Sequence, residues 1–343
     1  MHIKELNNEH LSMLKSFISM SNSVGSKPDY IQAGGGNTSI KLGDIMAVKC
    51  SGCQLKDMKL DFGYVCLPYK EISNIFESSP RDANSESTTS AKINELVIEF
   101  EGLPSKRPSV EAGFHALLGN VVIHSHAIYA NIFNCIKDGE QKLAEILKPA
   151  GVDYLFFDFI NPSADLAFAI LDMKKKLNRK LPNIIFLKNH GLIIWADTVD
   201  QAIEYNDLVL GVLKNALKLN DYPVVELIDN GEYCTSDNKF IMDMISDGSL
   251  TKERILKTPL YPDQLVYLNN NLIDGSKLEL DDNTVKYKTT YNSAYSLEET
   301  LLAYAYLLKV ADKNGYELEL MPQSGIQFIL GWDAEKYRSQ MLK

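Results

Sequence analysis

The chain has 343 residues, 45% hydrophobic and 23% charged, with a formal net charge of −10 at pH 7. That length holds one large domain plus a smaller one, or two of ordinary size, and the negative balance argues against a surface built for nucleic acid or anionic membrane. No run approaches the roughly 20 apolar residues of a membrane helix, and the polar start M-H-I-K-E-L-N-N-E-H has neither secretory nor transit-peptide character, so a cytoplasmic location is expected.

In chain order, residues 5–20 read as a helix, and short β-like pieces follow at 29–33, 38–41, 45–50 and 63–67, separated by glycines. A helix is predicted over 68–78. The polar stretch S-S-P-R-D-A-N-S-E-S-T-T-S (78–90) reads as an exposed loop before a helix at 90–100. Pro108 opens a helix over 109–118; V-V-I-H (121–124) is a buried strand, and helices follow at 126–135 and 139–147. Next come a strand at 154–159, an amphipathic helix from Asn161-Pro162 to about 179, strands at 184–188 and 192–195, and a helix from Asp197 to about 219. This alternation predicts an α/β fold, a three-layer α/β/α sandwich. Beyond Asp221 the texture becomes acidic and tyrosine-rich, with weak strands near 265–288 and a helix at 296–311. The expected division is a main domain over 1–220 and a smaller α+β extension over 221–343, acting as a lid or an interface.

Five scattered cysteines are too few for a disulfide framework. Cys50-x-x-Cys53 has no second pair for a zinc ribbon and lacks the element order of a thioredoxin, so the spacing reads as coincidence. The histidines are more informative. In V-V-I-H-S-H (121–126), His124 and His126 stand two apart, which in a strand puts both on one face with Cα atoms about 6.5 Å apart. Two such imidazoles can share one ion at the roughly 2.0–2.1 Å that zinc requires. His190, in K-N-H-G-L between two strands, is the best third ligand, with Gly191 permitting the tight turn. Taken singly, each would read as a core or surface residue bonded locally; as a trio, they point to a metal.

Glu111 lies thirteen residues before His124, where its carboxylate can meet the same pocket or simply face solvent. His115 shares its helical face and reads as a supporting residue more than a ligand. A-G-G-G-N-T-S (33–39) completes neither G-x-G-x-x-G nor a Walker motif, yet its glycines and Asn37 offer donors suited to a phosphate. K-C-S-G-C (49–53) adds Ser51, Gly52 and Lys49 to that set.

G-N-T-S (36–39), S-G (51–52), R-P-S-V-E (107–111), H-S-H (124–126) and N-H-G-L (189–192) together resemble the class II aldolase/adducin family, from about residue 28 to 215. With F-H-A-L-L (114–118), Y-P-D-Q-L (261–265) and I-Q-F-I-L-G-W (326–332), the chain is similar in particular to the aldolase half of bifunctional rhamnulose-phosphate aldolase/alcohol dehydrogenases, although it contains no G-x-G-x-x-G unit. The resemblance to fuculose-phosphate-type aldolases implies a Zn2+ or other divalent cation on His124, His126 and His190. It makes Glu111 the acid/base and Asn37, Ser51, Gly52 and Ser109 the phosphate pocket. The implied reaction is cleavage or formation of the C3–C4 bond of a ketose 1-phosphate or related sugar through a metal-stabilised enediolate, in a homotetramer. Val110 departs from the pattern, removing a serine that donates to phosphate in those enzymes, and the second proton donor is not placed; Tyr154 and the C-terminal tyrosines are candidates. A dehydratase or epimerase of the same fold, or a metal-free adducin-like interaction module, is the alternative.

Overall fold

Successive side chains of a strand point to opposite faces of its sheet, and the central strands here are buried at every position. Both faces must therefore be covered. The computed structural model describes residues 7–177, 179–281 and 283–331. Its main sheet contains β1 (Asn37–Leu42), β2 (Ile45–Lys49), β3 (Tyr64–Leu67), β4 (Val121–Ser125), β5 (Leu155–Phe157), β6 (Ile184–Leu187) and β7 (Gly191–Ala196), in the order β3-β2-β1-β4-β7-β6-β5. Neighbours pair antiparallel except β5 and β6, which run parallel.

Val121 and Ile123 join one apolar cluster with Ile40, Phe186 and Ile194, while Val122 joins another with Val48, Ile185 and Ile193. Helices Asn8–Gly25, Ile128–Asn134, Gly139–Leu147 and Val199–Ala216 pack into the first cluster. Helices Tyr69–Ser78, Ser85–Glu95, Ala112–Leu117 and Ala164–Lys176 pack into the second. The result is the expected three-layer sandwich. Residues beyond 220 add helices and a small sheet of β8 (Leu227–Asp229), β9 (Cys234–Ser236), β10 (Leu278–Leu280) and β11 (Val285–Tyr287), in the order β10-β11-β9-β8. Leu297, Leu301 and Leu308 of the helix Tyr291–Asn314 belong to the same continuous cluster as Ile128 and Phe133, so this segment is packed onto the sandwich. Among the described residues, no helix is long and apolar enough to cross a membrane.

Three expectations are corrected. Residues 29–33 form turns in place of a strand, because Ala33 takes φ 49° and Gly36 φ 59°, and Gln32 donates from its side chain to the Pro28 carbonyl. The polar stretch read as a loop to residue 90 becomes helical at Ser85, where Thr89 bonds back to the Ser85 carbonyl and Glu86 accepts from the Ala164 amide. Docking on the neighbouring helix overrides a weak local preference. Val266 and Tyr267, read as the start of weak strands, lie instead in a wide π-helical turn over Gln264–Asn269. Buried Gln264 organises it by accepting from the Leu260 amide and donating to the Ile255 and Thr258 carbonyls. The first residues of the predicted N-terminal helix, 5 and 6, and Trp332 of the terminal motif lie outside the described residues.

Candidate active site

The site forms where the C-terminal end of β4 meets the starts of β1 and β7. Register brings the residues together: Asn37 pairs with His124 across β1 and β4, and Ile193 pairs with His124 from β7. His126 follows β4, and His190 precedes β7 in the β6–β7 turn. The positive φ of that turn falls on Asn189, at 53°, and not on Gly191 as the sequence suggested. Asn189 is held by donating to the Leu260 and Glu319 carbonyls. Gly191 is required for another reason: a Cβ there would stand 2.5 Å from the Ser125 carbonyl oxygen and 3.2 Å from His124 Cε1.

The three imidazoles are buried, with one ligand atom from each lying within 4.8 Å of the others. His124 Nδ1 is 3.1 Å from the Leu192 carbonyl oxygen, and His126 Nδ1 is 2.5 Å from Asp263 Oδ2. Both acceptors take a proton, so in the neutral rings the hydrogens reside on Nδ1 and the Nε2 lone pairs are unprotonated. Burial, the largest influence, pushes His124 down to about 4 despite the opposing pull of Glu111, so its ring is neutral at physiological pH. The two Nε2 atoms face each other at 3.2 Å. Opposed lone pairs repel unless a cation lies between them, and tetrahedral zinc at roughly 2.0–2.1 Å from each ligand sets nitrogens about 3.3–3.4 Å apart. The donor set thus fits a divalent cation, and the bonds at Nδ1 orient the rings as outer partners of metal ligands do.

Glu111 stands at the start of the short helix Ala112–Leu117 and is buried. Its Oε2 accepts from Asn37 Nδ2 at 2.6 Å and lies 3.5 Å from His124 Nε2. Its Oε1 has no hydrogen-bond partner and lies 3.6 Å from His190 Nε2. A buried, unpaired carboxylate oxygen is costly, and this one faces the histidines. Behind it, Asn37 Oδ1 bonds His115 Nε2, and His115 Nδ1 is 2.7 Å from Ser39 Oγ. Burial holds His115 well below the ordinary histidine range, so a neutral ring braces Asn37, which in turn braces Glu111.

The cleft in front is lined by Asn37, Ser51, Gly52, Ser109, Glu111, His126 and His190, with Gly34, Gly36, Lys49, Val110, Pro162 and Pro262. Seven of the eight site residues expected from sequence therefore share one cavity wall, and His124 contacts His126 and Glu111 immediately behind it. The Ser51 amide is spent on the Arg107 carbonyl, which leaves the hydroxyl as that residue's donor to a ligand. Ser109 Oγ accepts from Asn37 Nδ2 at 3.2 Å. Buried Lys49 reaches the Gly34 carbonyl at 3.0 Å. Tyr154 is not in the cleft wall; its hydroxyl reaches the Glu140 carbonyl.

Asp263, fully buried, is the member of the candidate site that sequence reasoning missed. It lies 137 positions from His126, and its only signal was its place in Y-P-D-Q-L. The glycine loop explains how it gets in: a Cβ on Gly35 would stand 2.4 Å from Asp263 Oδ2 and 2.8 Å from His126 Nδ1. Gly35 therefore allows the backbone to close over the Asp263–His126 pair.

A largely antiparallel α/β/α sandwich with a buried three-histidine cluster and a carboxylate at one sheet end defines the class II aldolase type of protein. The chain belongs to the class II aldolase and adducin N-terminal domain family, whose sequence profile matches residues 16–214. It is 26% identical over 195 residues to a Bacillus subtilis protein described as the uncharacterized oxidoreductase YuxG, covering 54% of this chain and 27% of that one. The chain thus spans about a quarter of that relative's length. Its fold is similar to the N-terminal class II aldolase domain of a Thermoplasma acidophilum protein, with a TM-score of 0.50, 22% identity, and coverage of 59% of this chain and 92% of that one. A structure described as L-fuculose 1-phosphate aldolase also matches, with a TM-score of 0.39, 17% identity, and coverage of 61% and 88%.

Proposed function

We propose that the chain is a metal-dependent lyase that cleaves or forms the C3–C4 bond of a ketose 1-phosphate or a closely related sugar. The observation that carries this reading is the unpaired Glu111 Oε1, buried beside an imidazole trio whose other ring nitrogens are occupied at His124 and His126. A divalent cation held by His124, His126 and His190 supplies Lewis-acid stabilisation of the negative charge that C–C cleavage leaves on the ketose fragment.

The remaining chemistry belongs to the chain. Glu111 gives a proton to the C3 carbon in cleavage and removes it in condensation. Asn37 holds Oε2, which leaves Oε1 as the working oxygen. Ser51, Gly52, Ser109 and the ammonium of Lys49 hold the anionic group at the cleft wall, Lys49 offsetting both the serine that Val110 replaces and the chain's negative field. Fixing that end of the substrate sets the distance between its reacting carbon and Glu111.

The test incubates zinc-loaded protein with a panel of ketose 1-phosphates and couples released dihydroxyacetone phosphate to a reporting dehydrogenase. Aldolase action yields that product together with an aldehyde. Dehydration or epimerisation of the same substrates without it would refute the aldolase assignment, and purified protein holding no stoichiometric metal under zinc-replete conditions would refute the lyase reading as a whole.

A further inference from the structure

The Cys50-x-x-Cys53 pair, which its spacing alone left as coincidence, acquires a chemical setting in the fold. Both thiols are buried, and their sulfurs lie 2.8 Å apart, with Cys50 donating to Cys53. A sulfur–sulfur bond is about 2.05 Å long, so closing one requires less than about 1 Å of movement. Lys106 Nζ stands 3.4 Å from Cys53 Sγ. The hydrogen bond from Cys50 and the nearby lysines hold Cys53 below the ordinary thiol range, which favours the attacking thiolate. Burial pushes Cys66 up to about 12 and raises Cys135 as well, leaving those thiols inert.

The pair also has access and a mechanical connection. Cys53 forms part of the wall of a second cleft, with Lys56, Phe62, Tyr291 and Tyr295. Gly52 lines both that cleft and the catalytic one. Ser51 and Gly52, enclosed between the two cysteines, are tied to the segment carrying Ser109 by the Ser51 amide on the Arg107 carbonyl and the Ser109 amide on the Lys49 carbonyl.

We propose that Cys50 and Cys53 are an oxidisable dithiol, closed by small-molecule disulfides that enter through the second cleft, and that closure displaces the Ser51–Gly52 turn in the catalytic cleft. Cys53 Sγ attacks one sulfur of a disulfide RS–SR, expelling RS− and forming a mixed disulfide. Cys50 then loses its proton, attacks the Cys53 sulfur and expels the second RS−. Two protein thiols are oxidised, one RS–SR is reduced, and two RSH leave. The effect on the cleft rests on the reading that this turn holds the substrate's anionic group; the thiol chemistry does not.

The test equilibrates the full chain with oxidised glutathione, alkylates the remaining thiols after denaturation, and maps them by mass spectrometry. The expected product is a peptide lacking two hydrogens and both alkyl groups at Cys50 and Cys53, with Cys66, Cys135 and Cys234 still alkylated. In the reduced native chain, Cys53 should alkylate about tenfold or more faster than Cys66 or Cys135, and Lys106→Met should slow it. Calorimetric titration with inorganic phosphate should show about tenfold weaker binding to the oxidised chain, as expected for one displaced charge-assisted hydrogen bond, and no oxidation effect in Cys53→Ser. Full alkylation of both residues after glutathione treatment would overturn the dithiol, and a closed disulfide with unchanged phosphate affinity would overturn the coupling. If the reduced chain binds no phosphate, the anion-site reading and the coupling fall together, while the alkylation map still decides the dithiol.

Discussion

Asp263→Asn is the sharpest perturbation of the site, because it changes charge and not shape at a position 2.5 Å from His126 Nδ1. The amide oxygen still accepts the ring proton, so His126 keeps its tautomer and orientation. What is lost is the difference between a hydrogen bond to a charged acceptor, about 1.5–3 kcal/mol, and one to a neutral acceptor, about 0.5–1.5 kcal/mol. That difference of roughly 1–2 kcal/mol predicts zinc affinity about five- to thirtyfold weaker, overlapping the range seen when such outer partners of metal ligands are removed. The metal-free fold should be unimpaired, since the variant also removes a carboxylate that is 0% exposed. Competition against a chromophoric chelator gives the affinity, and melting of the chelated protein gives the stability. Zinc affinity within about twofold of the parent would refute the reasoning; weaker zinc accompanied by a collapsed metal-free fold would show that Asp263 acts through packing.

Glu111→Gln should retain stoichiometric zinc, because the three imidazoles are untouched, while turnover falls by about two to four decades; unchanged turnover removes Glu111 from proton transfer. Gly35→Ala forces a Cβ to within 2.4 Å of Asp263 Oδ2 and should cost about 1–3 kcal/mol of stability, read as a lower denaturant midpoint. Lys49→Met should raise KM for a phosphorylated substrate about tenfold or more, with a smaller effect on an uncharged analogue. Glu298 is raised to about 7 by burial, against hydrogen bonds from Ser236 and Tyr287. A carboxyl with a raised folded pKa contributes stability at low pH that is lost as pH rises from about 4.5 to about 7. Glu298→Gln should therefore gain on the parent by about 3 kcal/mol across that window and hold the gain above it; a pH-independent difference in unfolding free energy contradicts the assignment.

The elements legible in the sequence were those whose pattern is local. V-V-I-H and L-I-I-W are apolar on both faces, which marks central strands, and the helices over 199–216 and 291–314 carry enough apolar positions to be found unaided. Misreadings fell where packing outweighed local preference. Tyr30 and Ile31 favour a strand, but the left-handed residues at 33 and 36 turn the chain. The serine- and threonine-rich segment from 85 becomes a helix because Thr89 and Ile93 bury against a neighbour. Strands β8 and β9 and the helices Lys239–Ser246 and Lys252–Lys257 are short and were not anticipated.

The primary structure alone determined which side chains are candidates for the proposed chemistry, because the spacing in H-S-H and the turn at N-H-G-L constrain where those imidazoles can point. The tertiary structure decided how they are held. Asp263 meets His126 across 137 residues, His115 reaches Glu111 only through Asn37, and two cysteines that spacing left without a role stand beside Lys106. A strand's alternation is a property of a few neighbouring residues. The partner that orients a buried ring comes from whichever distant segment the packed core brings within hydrogen-bond distance, and no local pattern records that choice.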